Sequence, residues 1–151
     1  MRFANYRRAT NAAYDILVKK KTFSIATDVF AIVETLLENC RLLTYSQACF
    51  LYGYCFDQLL EISEFGFSII SKNGNRIILY NETMPLGAIR FTIAHEIGHA
   101  VLGHIDEEDP ACEKEANCFA RNLLCPLPVA EILGAYYIRL HRAVFCYGSY
   151  G

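Results

Sequence analysis

Residues 90–103 read Arg90-Phe91-Thr92-Ile93-Ala94-His95-Glu96-Ile97-Gly98-His99-Ala100-Val101-Leu102-Gly103. Pro85 suits a first helical position and Gly103 the residue just past a last one, so one helix is predicted from about 85 to 102. Ile89, Phe91, Ile93, Ala94, Ile97, Ala100, Val101 and Leu102 occupy nearly every side of it, which implies burial. Two imidazoles and a carboxylate on such a helix would each cost on the order of a few kcal/mol if unpaired. A shared metal satisfies all three. His95 and His99 differ by only ~40° around the helix axis and stand about one turn apart, so both rings can reach one Zn²⁺ at ~2.0–2.1 Å. Glu96 lies ~100° from His95 and ~60° from His99, within reach of a water at that point without ligating the ion itself. Random placement in a chain of this composition produces His-Glu-x-x-His roughly 0.8% of the time, so chance is a poor explanation.

Such a site needs a third protein ligand. His104 follows His99 by five residues, ~140° round the helix, and reads better as a helix-end residue capping carbonyls. The alternative is a carboxylate from the next helix, folded back across the acidic segment: Asp106, Glu107, Glu108, Glu113 or Glu115. Glu113 and Glu115 both flank the apolar stripe of Ala116, Phe119, Ala120 and Leu123, so helical phase leaves the choice open.

Outward from this core, the pattern is that of a small α+β domain, mostly helical with a short β-sheet before the histidine helix. Helices are expected at about 5–20, from Thr27 or Asp28 to Asn39, from Ser46 to Ile62, at about 111–124 and at roughly 129–142. Gly66–Ser71 and Arg76–Tyr80 read as two strands joined by the hairpin signal Asn73-Gly74. The tail from Tyr147 to Gly151 should be loose. With 151 residues, the chain is expected to form a single domain, 1–151.

A hydrophobic content of 54% against 20% charged residues excludes a disordered chain, and a net charge of −2 argues against a nucleic-acid coat. The longest uncharged stretch, residues 42–56, is shorter than the ~20 apolar residues of a membrane span. No apolar leader follows Met1, and the seven cysteines include no Cys-x-x-Cys pair, so they are expected as reduced, mostly buried side chains in the cytoplasm. Residues 1–21 carry a net +5 and residues 106–115 a net −5, read as a solvated helix end and a solvated loop.

The stretch from Ile77 to Pro126 resembles the ImmA/IrrE family of small zinc metallopeptidases. The likeness rests on Ile77-Ile78-Leu79-Tyr80-Asn81, on Arg90 to His99, on Glu115-Ala116-Asn117-Cys118-Phe119-Ala120 and on Leu123-Leu124-Cys125-Pro126. The resemblance implies a zincin-like domain with one Zn²⁺ per chain, held in a gluzincin-like arrangement by His95, His99 and Glu115, with Glu96 as the catalytic general base. It also implies a cytosolic protein of bacterial, phage or mobile-element type that cleaves a helix-turn-helix repressor and so switches on genes. No DNA-binding helix pair is evident, so the target would be found through a protein partner rather than through nucleic acid. Tyr80, Tyr136, Tyr137 and His141 could stabilise an oxyanion, though each reads better as a packing or surface residue. The rival is a catalytically silent module of the same fold that binds a transcription factor.

Overall fold

The computed structural model describes residues 2–21, 27–105 and 109–127. In chain order the elements are α1 (Tyr6–Lys20), α2 (Val29–Leu36), β1 (Cys40–Thr44), α3 (Tyr45–Tyr52), α4 (Phe56–Ile62), β2 (Gly66–Ile70), β3 (Arg76–Tyr80), α5 (Leu86–Leu102) and α6 (Pro110–Leu124). The protein is a small α+β domain. Side-chain caps set the helix starts: Asn5 accepts from Arg8 N–H, Asp28 from Ala31 N–H and Asp109 from Ala111 N–H. Pro110 follows Asp109 at the first turn of α6. Helix α5 ends at Gly103, whose φ of +65° is the left-handed cap that a glycine adopts without a Cβ clash.

The sheet has the order β1-β3-β2. β2 and β3 form the expected antiparallel hairpin, with Ile70 opposite Arg76, and the turn closes through Gly74 at φ +79°. β1 pairs with β3 in parallel, Cys40 opposite Arg76 and Thr44 opposite Tyr80. The sequence pattern does not predict this third strand. Its five residues carry no period-2 alternation, and β3, which supplies its hydrogen bonds, lies beyond two intervening helices.

The helix expected from Ser46 to Ile62 is instead two. Gly53, at φ +73°, ends α3, and α4 starts after Cys55. Gln47 and Gln58 each reach back to accept from the backbone N–H of Thr44 and Cys55, closing both starts. The second helix stops at Leu36, before the expected Asn39, so that the chain can turn into β1. The helix expected at 129–142 and the tail lie outside the described residues.

Helix α5 sits at the centre, packed on β2 and β3 and against α1, α2 and α6. Ile93, Ala94 and Ile97 are fully buried, with Leu17, Ile32, Ile78, Phe119 and Leu123 around them. Gly98 lets α6 come close, since a Cβ there would stand 3.0 Å from Phe119 Cδ1 and 3.2 Å from Ala116 Cα. Gly98→Val should therefore force α6 outward and destabilise the domain by about 1–3 kcal/mol, measured by urea unfolding. A stability equal to that of the parent chain would show that the approach is loose.

Among the described residues six cysteines are free; only Cys112 and Cys125 are buried, Cys40, Cys49 and Cys118 are half-buried and Cys55 is exposed, so the expectation of mostly buried cysteines is not met there. No described helix is long and apolar enough to cross a membrane.

Candidate metal centre

One helical turn separates His95 from His99 on α5, and their Nε2 atoms lie 3.0 Å apart. The first turn of α6 brings Glu113 against the pair, with Oε1 3.1 Å from His99 Nε2 and Oε2 3.6 Å from His95 Nε2. A tetrahedral ion with bonds of ~2.0–2.1 Å holds its donors roughly 3.3 Å apart, a value these separations bracket. The chemistry of the donors fits as well: two imidazole nitrogens and a carboxylate, all within 4.8 Å of one another, are compatible with a metal site. His99 is 1% exposed and the Glu113 side chain 45%, so the group is reached from solvent on the Glu113 side.

His95 turns its other ring nitrogen to α6, where Nδ1–H donates to Asn117 Oδ1 at 3.0 Å. That bond turns the Nε2 atom toward Glu113 and His99. Hydrogen bonds from His95 and His99 pull the Glu113 carboxyl down to about 2. Burial works against charge on His95, but its bond to Glu113 and the charges of Glu96 and Glu113 outweigh it and raise the imidazole above its ordinary range.

Glu96 is buried, and Oε2 accepts a hydrogen bond from Ser68 Oγ–H on β2. Ser68 Oγ in turn accepts from Arg76 Nη1 on β3 at 2.7 Å, and Arg76, also buried, donates through Nη2 to the carbonyl of His104. The antiparallel hairpin therefore orients the carboxylate that α5 carries.

Glu115, implied as the third ligand by the resemblance, is absent from the imidazole cluster. Two residues along α6 correspond to ~200° of rotation, and its carboxylate is fully buried on another side. There it accepts from Asn5 N–H at 2.8 Å and from Arg2 Nη2 at 3.2 Å on both oxygens, with Arg8 at 3.6 Å and His104 Nε2 at 3.0 Å. Burial raises this carboxyl, but the Asn5 and His104 hydrogen bonds and the Arg2 charge prevail and hold it below the ordinary range. His104 does cap the end of α5, its backbone N–H donating to the His99 carbonyl at 3.0 Å, but its side chain turns inward. It is 3% exposed, with Nδ1 3.1 Å from His99 Nδ1, and burial depresses its pKa despite the Glu115 hydrogen bond.

The charged ends read as solvated are in part joined to each other. Arg2 and Arg8 from the basic N-terminal stretch meet Glu115, and Arg2 also meets Asp109, of the acidic one. Tyr80 packs edge-to-face on Phe30 at 6.0 Å. Tyr136, Tyr137 and His141 lie outside the described residues, as do Asp106, Glu107 and Glu108.

Sequence reasoning left Glu113 undecided and missed Asn117, Ser68 and Arg76. One signal was present: Glu113 and Asn117 are four apart, so a carboxylate and an orienting amide share one face of α6. The strand partners of Glu96 had none, because their proximity depends on how the hairpin lies on α5.

The Peptidase_M78 family model, described as the IrrE N-terminal-like domain, matches residues 53–140, more than half of the chain. Neither a curated protein nor a solved structure matches.

Proposed function

The chain belongs to the IrrE N-terminal-like family of peptidases, and on that premise we propose that it is a zinc-dependent endopeptidase of the cytoplasm, acting on a protein substrate. The observation that carries the reading is the convergence of His95 Nε2, His99 Nε2 and the Glu113 carboxylate, with Glu96 buried beside them on the same helix. His95, His99 and Glu113 would hold the zinc, one per chain. When bound, zinc supplies a Lewis acid that acidifies water and polarises a scissile carbonyl.

The chain's own residues do the rest. Glu96 accepts the proton of the attacking water on its carboxylate and delivers it to the leaving amine. Ser68 and Arg76 hold that carboxylate in place during both transfers. Among the described residues β2 is an edge strand, so an extended peptide pairing along it would pass beside Ser68 and Glu96. The sequence resemblance supports a helix-turn-helix repressor of a phage or mobile element as that substrate, reached without direct contact with nucleic acid.

Chelator-treated protein should lose hydrolysis of the purified repressor and regain it with about one equivalent of Zn²⁺ per chain. Affinity should also climb with pH, because zinc must displace the proton that His95 holds above its ordinary pKa. The contribution of His95 to the stability of the metal-free protein has the opposite dependence. The raised His95 stabilises the fold fully below 6.5 and loses that contribution as pH rises through its folded value; the depressed Glu113 contributes above 4.5 and fades towards about 2. Raising the pH from mildly acid to mildly alkaline should thus widen the Tm gain from added zinc, while in the metal-free form the loss at His95 is opposed by the depressed His104, which gains stability over the same range. A zinc affinity that does not vary with pH would contradict proton displacement, and hydrolysis that survives chelation would sink the metallopeptidase reading.

A further inference from the structure

A line of buried donors and acceptors runs behind His99, away from Glu113 and Glu96. His99 Nδ1 faces His104 Nδ1 at 3.1 Å, and His104 Nε2 faces Glu115 Oε2 at 3.0 Å. Both imidazoles are nearly inaccessible to water, and Glu115 is completely so. Each neutral imidazole has one N–H and one lone pair, so with a metal ion at the Glu113 end the polarity of the line follows from its Glu115 end. Glu115 is held as a carboxylate by Asn5 N–H and Arg2, and a carboxylate only accepts. His104 must then donate from Nε2, which leaves Nδ1 as an acceptor. The facing His99 Nδ1 must carry the proton, so that with a metal between the imidazoles and Glu113 it is His99 Nε2 that presents its lone pair to the ion. The reverse polarity would place the His99 proton on Nε2, where it would block ligation.

We propose that His104 and Glu115 are positioning residues: a two-link relay, fixed at its far end by the Asn5 N–H and the Arg2 guanidinium, that locks His99 in the tautomer able to bind metal through Nε2. The inference rests on the metal-binding reading of His95, His99 and Glu113. It gives Glu115 a role that its position permits, since it sits one imidazole away from the ligand. His95 has the shorter equivalent, a single bond from Nδ1–H to Asn117. Both ligating rings are thus oriented from α6 or the turn after α5, and partners of this kind govern metal affinity without touching substrate.

The test uses the full chain with Zn²⁺ as the probe. Long-range ¹H–¹⁵N spectra of the zinc-loaded parent protein should show His104 as the neutral Nε2–H tautomer and His99 protonated at Nδ1. His104→Phe keeps a ring in the space but removes the acceptor; it should weaken zinc binding roughly 10–100-fold in chelator competition, with far-UV circular dichroism unchanged. Glu115→Gln should fall in the same direction, since the amide no longer anchors His104 with a full charge.

An imidazolium or an Nδ1–H tautomer at His104 in the loaded parent would overturn the relay, and this reading decides the matter even if His104→Phe fails to fold. A folded His104→Phe that binds zinc within about twofold of the parent would overturn it too. Failure of the parent itself to bind zinc is a different result, which removes the metal-centre reading and the relay with it.

Discussion

Glu113→Gln should bind zinc more than about 10²-fold less tightly than the parent chain and lose peptide hydrolysis in proportion, with its fold retained. The substitution keeps the length of the side chain, and the half-exposed position on α6 tolerates an amide without burying an unpaired group. What changes is the ligand. A neutral amide oxygen binds a divalent ion far less well than a carboxylate, and the electrostatic attraction of the two imidazoles for Glu113 disappears with it. In the metal-free variant the His95 imidazole should also titrate lower, since its bond to Glu113 is among the causes that raise it. Metal analysis after gel filtration gives the zinc content, chelator competition the affinity, and histidine NMR the titration. Glu115→Gln sets the comparison: it acts through His104, so its loss should stay within roughly 10–100-fold. If the ranking is inverted, the third ligand returns to Glu115 and the arrangement of α6 against α5 is wrong.

The identity of that ligand shows where a sequence stops being legible. His95, Glu96 and His99 could be read directly, because their relation depends only on the pitch of one helix. The same holds for the hairpin at Gly74 and for the Gly103 cap. Each is a local signal answered by local geometry. Glu113 against Glu115 is a question about the rotation of one helix relative to another. That rotation is set where Ala116 and Phe119 pack on Gly98, contacts eighteen and more residues away in the chain. Motif resemblance favoured the glutamate next to Ala116-Asn117, whereas the packing turns that residue toward Arg2, Asn5 and His104. β1 was missed for the same reason, since a short strand without alternation becomes visible only through its partner β3. The opposite charges at residues 1–21 and 106–115 were noticed but read as separate solvated surfaces. Two half-exposed arginines of the first, Arg2 and Arg8, instead meet the buried Glu115 of the second.

Glu96→Gln separates chemistry from binding, and it should cut hydrolysis of the repressor by roughly 10²–10⁴-fold while leaving zinc content intact. The glutamine oxygen can still accept from Ser68 Oγ–H, so the side chain keeps its place between β2 and α5. His95, His99 and Glu113 are unchanged, so the metal should remain. The amide, however, has no lone pair basic enough to take the proton of the attacking water, and nothing to return to the leaving amine. The loss should therefore appear in kcat with little change in KM, because substrate contacts are untouched. A variant that loses zinc along with activity would make Glu96 part of the metal-holding structure instead of the base. A variant that hydrolyses at the parent rate would place the base elsewhere. The cellular outcome decides between the two classes of function: if Glu96→Gln leaves the genetic switch working at its normal level, proteolysis is not what operates it, and the protein acts by binding the transcription factor with a fold that retains a metal centre.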